Sequence, residues 1–497
     1  MKTSYIRNGI LIILVGFVTT YCVVQKSLIT GNKRAYGYSW EKEKEIGKQA
    51  DQQIQQQYGV YDNQEVSNYV KNVGQKILSV SHLRRQDTPQ KFKDTEFHYQ
   101  VLNSPVANAF ALPGGYVYIT RGLLGYLENE AQLAVVLGHE TGHVAARHAS
   151  QQALEQQVGQ IALIGGAVAG QELLGVPGQS ILNLGSQAAK YLFLSYSRDD
   201  EREADRLGVE YAAMEHYQAK DAAGFFEALK RLTEQSGQSI PDWQSTHPDP
   251  SERAKTIPEL AQQWKEKGYE QNIEDADKYM RTIDGIIYGD NPREGFARDG
   301  KFYHPDLKFQ FSYPDGWQVV NQPNLVAVVN KDQDAVSIMQ LDSKSSSPQA
   351  SVIEYVSQDG YTVQSQGEVK NNGLNGYEAI ASATADNGTE YQFYVYSVSY
   401  NKNIYRFISY CVVDKFAAYK PLFVETSNSF KALTDQSILD IKPVRLHTIK
   451  VDKSAPFSSF LPEKLPMDIT QKEIAILNQV KLDETIQKGS WIKIPKK

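Results

Sequence analysis

LAVVLGHETGHVAARH, residues 133–148, places an apolar run, Leu133 to Leu137, directly before two histidines four positions apart. The run predicts a helix, and residues four apart on a helix share a face. His139 and His143 can therefore grip one metal ion. Glu140, one position on from His139, can reach water activated at that ion from the side and act as general base, as the His-Glu-x-x-His pattern requires. The competing reading is an ordinary polar helix face. The apolar flank argues against it, because two imidazoles would be buried with nothing to satisfy them. A catalytic zinc takes a third protein ligand and keeps a fourth position open, so the remaining ligand must come from elsewhere in the chain.

It cannot be a thiolate pair. The chain has two cysteines, Cys22 and Cys411, far apart and outside any C-x-x-C, which excludes disulfide scaffolds, zinc ribbons and iron–sulfur clusters and leaves histidine and carboxylate. At 497 residues the chain holds two to four domains of ~100–200 residues. Hydrophobic residues at 41% and charged residues at 22% exclude wholesale disorder, collagen and coiled coil. The net charge of -6 and the absence of a long basic run exclude a phosphate-tracking nucleic-acid binder and favour polypeptide partners.

Lys2 and Arg7 precede the apolar run Gly9 to Val24, the layout of an export segment. The run falls just below the ~17–25 residues that span a bilayer, so residues 1–37 are expected to be a signal peptide or a short membrane anchor. Cys22 as a lipid-attachment site is disfavoured by the bulky Tyr21 before it.

Residues 38–288 read as an α-rich domain with helices over Glu41–Tyr58, Asn63–Val80, Glu128–His148, Tyr191–His216 and Ala222–Gln235. Two strand-like pieces, Glu96–Leu102 and Tyr116–Thr120, are expected to be joined through the turn Pro113–Gly115 into a small sheet. Gln151–Lys190, small and apolar, is expected to form a helical hairpin near the site. After Gly289 the composition shifts to aromatic, alternating segments such as Tyr391–Tyr400, so a sheet-based α+β domain is expected over 299–435, with a hairpin at Asp386-Asn387-Gly388. Phe416, Tyr419, Phe423, Ser427 and Phe430 mark a helix face that could cover that sheet. A small module over 445–497 completes a multidomain chain.

The segment Tyr191–Gly208 supplies the missing carboxylate: Glu201 and Asp205 are four apart and share a face. Glu201 could ligate zinc while Asp205 holds a ligating imidazole through its other nitrogen. A solvated charge face is the alternative, and Glu203 rivals Glu201.

Four ordered motifs then resemble one family. They are NAFALPGGYVYITRGLL (Asn108–Leu124), HETGHVAARH (His139–His148), SRDDEREADRLG (Ser197–Gly208) and THPDPSERA (Thr246–Ala254). Over about residues 40–270 the chain resembles the zinc metallopeptidases related to the CAAX prenyl proteases and HtpX, in particular the exported BepA-like branch. The resemblance implies a gluzincin-type peptidase domain binding one Zn2+ per chain through His139, His143 and Glu201, with Asp205 behind them and Glu140 and Arg253 as catalytic residues. It places the Glu-x-x-x-Asp pattern on Glu201 and Asp205, against Glu203. It also implies His247 as a latch on the open zinc position, and Asn108, Ala109 and Phe110 as the edge strand that pairs substrate backbone. Arg253 could steady the developing oxyanion, and His148 is read as structural. Phe302–Trp317 resembles the start of a PsbP-like domain, and 445–497 a degenerate LysM-like module. The expected function is hydrolysis of misfolded or unassembled polypeptides in a bacterial periplasm or membrane-associated envelope, with outer-membrane assembly proteins or peptidoglycan as candidate partners. An envelope chaperone or assembly factor with a latent metal site is the alternative.

Overall fold

The structure is a computed structural model that describes residues 22–155, 196–236, 247, 250–385, 387–467 and 469–497. Within the expected export segment, residues 22–36 are described: β1 (Val23–Lys26) and β2 (Lys33–Tyr36) form an antiparallel hairpin whose last residue, Tyr36, is buried. The rest of the expected export segment lies outside the described residues, as does the expected helical hairpin from residue 156 onward. Among the described residues no helix is long and apolar enough to cross a membrane.

Side-chain caps start the helices of the first body. Ser39 caps Trp40–Tyr58, Asn63 caps Gln64–Val80 and Asn129 caps Glu130–Ala146, each accepting from a backbone N–H in the first turn. Ser197 and Asp200 close a reciprocal capping box on Arg198–Met214. A three-stranded sheet lies beside them in the order β3 (His98–Leu102), β5 (Tyr116–Thr120), β4 (Ala109–Leu112). This corrects the expected connection. The Pro113–Gly115 turn joins β4 to β5 antiparallel, while β3 runs parallel to β5. Pro250, whose fixed φ suits a first helical position, opens the helix Pro250–Glu266 that carries Arg253.

The helices Glu130–Ala146 and Arg198–Met214 cross backbone to backbone at Gly138 and Gly208. A Cβ on Gly208 would lie 2.8 Å from the His139 amide nitrogen, and one on Gly138 2.9 Å from the Gly208 carbonyl oxygen. Only hydrogens fit there, so the two helices are held at the separation the site needs.

The second body is built from β6 (Phe296–Arg298), β7 (Lys301–His304), β8 (Phe309–Ser312), β9 (Gln318–Gln322), β10 (Leu325–Val329), β11 (Ala335–Asp342), β12 (Tyr361–Asn371), β13 (Leu374–Thr384), β14 (Glu390–Tyr400), β15 (Asn403–Val412) and β16 (Lys431–Ala432). Seven of these form an antiparallel sheet in the order β12-β13-β14-β15-β11-β10-β9, and four form a smaller sheet, β16-β8-β7-β6. The smaller sheet and the helix Val413–Asn428 pack on one face around Phe309, Phe407, Phe423 and Phe430. The helix Pro348–Val356 covers the other face around Val352, Val395 and Ile408.

Residues 445–497, expected as a module of their own, are built into the first body. β17 (Arg445–Lys450) pairs with the last strand, and Leu446, Ile474, Ile492 and Ile494 share one hydrophobic core with Val135, Tyr211 and Phe225. Between them lie β18 (Ala455–Pro456), β19 (Thr485–Ile486) and the helix Gln471–Leu477, with β20 (Trp491–Lys496) closing the chain. The contact is polar as well as apolar. Lys493 is fully buried, pairs with Glu128 at 2.8 Å and donates to the carbonyls of Gly125 (2.8 Å) and Leu127 (2.9 Å). Gln479 exchanges hydrogen bonds with Gln132 in the first turn of the motif helix, at 2.9 and 3.0 Å.

Glu130 anchors that same turn. Its buried carboxylate accepts from Tyr217 (2.6 Å), Tyr69 (2.7 Å), Lys278 (3.0 Å) and Lys76 (3.1 Å). Burial alone would raise its pKa, but these donors outweigh it and lower the value from 4.5 to about 2. A depressed carboxylate stabilises the fold above its unfolded pKa and loses that contribution as pH falls through its folded one. Stability should therefore decline between about pH 4.5 and 2, and Glu130→Gln should flatten that decline and cost about 2–3 kcal/mol at pH 7, measured by urea unfolding across that range.

Candidate metal centre

His139 and His143 project from one face of the helix Glu130–Ala146, and Glu201 and Asp205 from the facing side of Arg198–Met214. All four are buried. With His247, they form a tight set: ligand atoms of His139, His143, Glu201 and His247 lie within 4.8 Å of one another. The individual separations are His139 Nε2 to His143 Nε2 2.9 Å, His143 Nε2 to Glu201 Oε1 3.3 Å, His139 Nε2 to His247 Nδ1 3.3 Å, and His139 Nε2 to Glu201 Oε2 3.6 Å. Donors bound to a tetrahedral cation at ~2.0–2.1 Å are separated by roughly 3.3–3.4 Å, so the set is spaced as a ligand shell is.

Hydrogen-bond accounting points the same way. His139 Nδ1 faces Asp205 Oδ1 at 2.9 Å and Arg253 Nη2 at 3.0 Å; a proton on Nδ1 donates to that carboxylate and leaves the Nε2 lone pair facing His143. Glu201 Oε2 and both oxygens of Glu140 are buried without a hydrogen-bond partner among the described residues. Burial, with the neighbouring Glu201 and Asp205 charges, raises the Glu140 carboxyl to about 7 against the pull of His247. Burial holds His139 and His143 well below the usual histidine range, so both stay neutral and able to ligate. Glu201 goes the other way: the surrounding histidines, His247 first, outweigh burial and keep it ionised. Two neutral imidazoles, an ionised carboxylate and orphaned oxygens converging in a buried space fit a divalent cation.

Arg253 binds Asp205 through Nε at 2.9 Å and Nη2 at 2.6 Å, approaches Glu201 Oε2 to 3.6 Å, and lies 4.2 Å from the Phe226 ring centroid. Its guanidinium thus sits behind the ligands, against both carboxylates and 3.0 Å from His139 Nδ1. Ala109 and Phe110 lie in β4 at one edge of the three-stranded sheet; Asn108 just precedes it, its Oδ1 buried without a hydrogen-bond partner among the described residues. Glu203, the rival of Glu201, points away from the cluster to His148 at 3.2 Å. One neighbour escaped the sequence reading, and another, His148, was read only as structural. Tyr196 stacks on His143 with ring centroids 4.1 Å apart, and His148 bonds to His143 itself. The motif helix ends at Ala146 because Arg147 takes the left-handed conformation, φ 62°. Helical spacing therefore says nothing about where His148 goes.

Residues 69–261, which span both histidines, Glu201, His247 and Arg253, match the family profile of Peptidase family M48. The chain is 29% identical over 235 residues to the mitochondrial metalloendopeptidase OMA1 of Schizosaccharomyces pombe, covering 46% of this chain and 64% of that protein. It is 33% identical over 185 residues to the mitochondrial metalloendopeptidase OMA1 of Bos taurus, covering 36% and 35%. To the beta-barrel assembly-enhancing protease of Escherichia coli it is 30% identical over 192 residues, covering 38% and 37%. The aligned regions thus span less than two thirds of these relatives. Among solved structures, cyanobacterial PsbP from Synechocystis covers 27% of this chain and 91% of its own, at 14% identity and a TM-score of 0.23, a likeness too slight to argue from.

Proposed function

We propose that this chain is a zinc-dependent endopeptidase acting on misfolded or unassembled polypeptides in a bacterial envelope. The observation that carries the reading is the convergence of His139, His143 and Glu201 beside Glu140, a buried carboxylate with no hydrogen-bond partner among the described residues. His139, His143 and Glu201 would hold one zinc ion, which when bound supplies Lewis acidity toward the scissile carbonyl and lowers the pKa of water. The chain supplies the rest. Glu140 takes the proton of the attacking water on its carboxylate and returns it to the leaving amine. Asp205 holds His139 in the ligating tautomer, and Arg253 fixes Asp205 and sets a positive charge beside Glu201. Asn108, Ala109 and Phe110 would pair with substrate backbone at the β4 edge of the sheet. The apolar segment Gly9–Val24 and the likeness to proteases named for β-barrel assembly support the envelope setting, with outer-membrane assembly proteins or peptidoglycan as partners. The test is cleavage of casein by the purified full chain. Cleavage should stop on chelation and return with one equivalent of zinc; cleavage indifferent to the chelator would refute the proposal.

His247 is assigned the part of a latch. Its Nδ1 lies 2.9 Å from Glu201 Oε1 and its Nε2 3.6 Å from Glu140 Oε1, so one ring covers both the fourth ligand position and the general base. His247→Ala should raise casein cleavage severalfold while one zinc stays bound; a fall or no change would remove the latch. The same contact favours the second reading, a chaperone with a latent metal site. That reading would be supported if His247→Ala still prevents aggregation of an unfolded client and cleaves nothing.

A further inference from the structure

The two histidines of the motif are anchored differently. His139 rests directly on a carboxylate, Asp205. His143 turns its Nδ1 to another histidine, His148, whose Nδ1 is 2.9 Å away. The side chain of His148 is fully buried, and its Nε2 faces Glu203 Oε2 at 3.2 Å and Asp200 Oδ1 at 3.4 Å. Glu203 is in turn gripped by Arg34 at 3.1 Å, from β2 of the N-terminal hairpin.

Proton placement runs inward along this chain. The two carboxylates at His148 Nε2 favour the tautomer with its proton there and a lone pair at Nδ1. His143 must then donate from Nδ1, which leaves its Nε2 lone pair aimed at Glu201, His139 and His247. That is the tautomer a metal ligand needs. Tyr36 of the hairpin and the residues that follow it also hold the turn that brings His148 back. Arg147 stacks over the Tyr36 ring at 3.9 Å, donates to the Tyr38 carbonyl at 2.6 Å and pairs with buried Glu43, and Gly37 N donates to Ser150 O at 2.9 Å.

We propose that His148, Glu203 and Arg34 are positioning residues for the metal site, fixing the tautomer and ring orientation of His143, so that the hairpin Val23–Tyr36 is a working part of that site. The inference rests on the reading of the cluster as a zinc centre. Its test is zinc affinity of the full chain by competition with a fluorescent chelator, with the melting temperature of the metal-free protein measured alongside. His148→Ala should weaken zinc binding about 10–100-fold with an unchanged metal-free melting temperature. His148→Gln, which can accept from His143 and donate to Glu203 at once, should recover most of the loss. Glu203→Ala and Arg34→Ala should weaken binding progressively less, each still filling to one zinc at saturation. A folded His148→Ala that binds within twofold of wild type overturns the proposal. If His148→Ala does not fold, wild-type affinity in Glu203→Ala overturns it. A wild type that takes up no stoichiometric zinc refutes the metallopeptidase reading itself.

Discussion

Glu140→Gln should lose casein cleavage by about 10²–10⁴-fold, the usual contribution of a positioned general base, while zinc content stays at one per chain. The amide is isosteric, so the ligands keep their places, but it cannot take up the proton from water. A second readout separates this from damage to the fold. Both carboxylate oxygens of Glu140 are buried without a hydrogen-bond partner among the described residues, and burial raises the acid to about 7. A carboxylate whose folded pKa lies above its unfolded value costs stability as pH rises through that interval. Removing it should therefore raise the melting temperature of the metal-free protein at pH 8. Lower activity with higher stability is the signature expected of a functional acid, and a variant that loses both would mark Glu140 as structural.

Gly208→Ala should damage the site through the helix crossing. On propensity alone the substitution favours an interior helical position by about 1 kcal/mol. Here the added methyl would meet His139 N at 2.8 Å, Val135 O at 3.0 Å and His139 Cα at 3.1 Å, all backbone atoms that cannot swing aside. Relief requires the two helices to part, which carries Glu201 and Asp205 away from His139 and His143. We expect a destabilisation of about 1–3 kcal/mol together with at least a tenfold loss of zinc affinity. Gly367→Ala, where a methyl meets nothing within 4 Å, is the control. Wild-type zinc affinity in Gly208→Ala would show that the crossing does not set the ligand geometry.

The parts of the site that lie on regular helices were legible because helical spacing alone fixes which side chains share a face. His139 with His143 and Glu201 with Asp205 are such pairs, and the structure brings both pairs together. Spacing could not choose between Glu201 and Glu203, since both lie on one amphipathic helix with charge all along it. That choice depends on which face meets the Gly138–Gly208 crossing. His148 was out of reach for a related reason: a left-handed residue at Arg147, held by Glu43 and the Tyr38 carbonyl, breaks the period between it and His143. The placement of residues 445–497 was hidden by chemistry that resembles a surface. Lys493 reads as a solvated charge in an alternating strand, yet it is fully buried on Glu128 and two carbonyls at the end of a short helix. β4 was legible only through the family resemblance and not through periodicity, because AFAL, buried throughout, shows no alternation.

The return of the chain at residue 445 has an architectural consequence. Tyr288 N donates to Val444 O at 2.8 Å, Leu446 N donates to Ile286 O at 2.8 Å, and Ile287 bridges Arg445. The two points where the chain leaves and re-enters the first body are therefore immediate neighbours, and everything from β6 to β16 hangs between them as a cassette. A body attached through two adjacent stems can be lengthened, exchanged or excised for a short turn without moving the halves of the core it interrupts. Evolution could thus vary the inserted body independently of the metal-site scaffold.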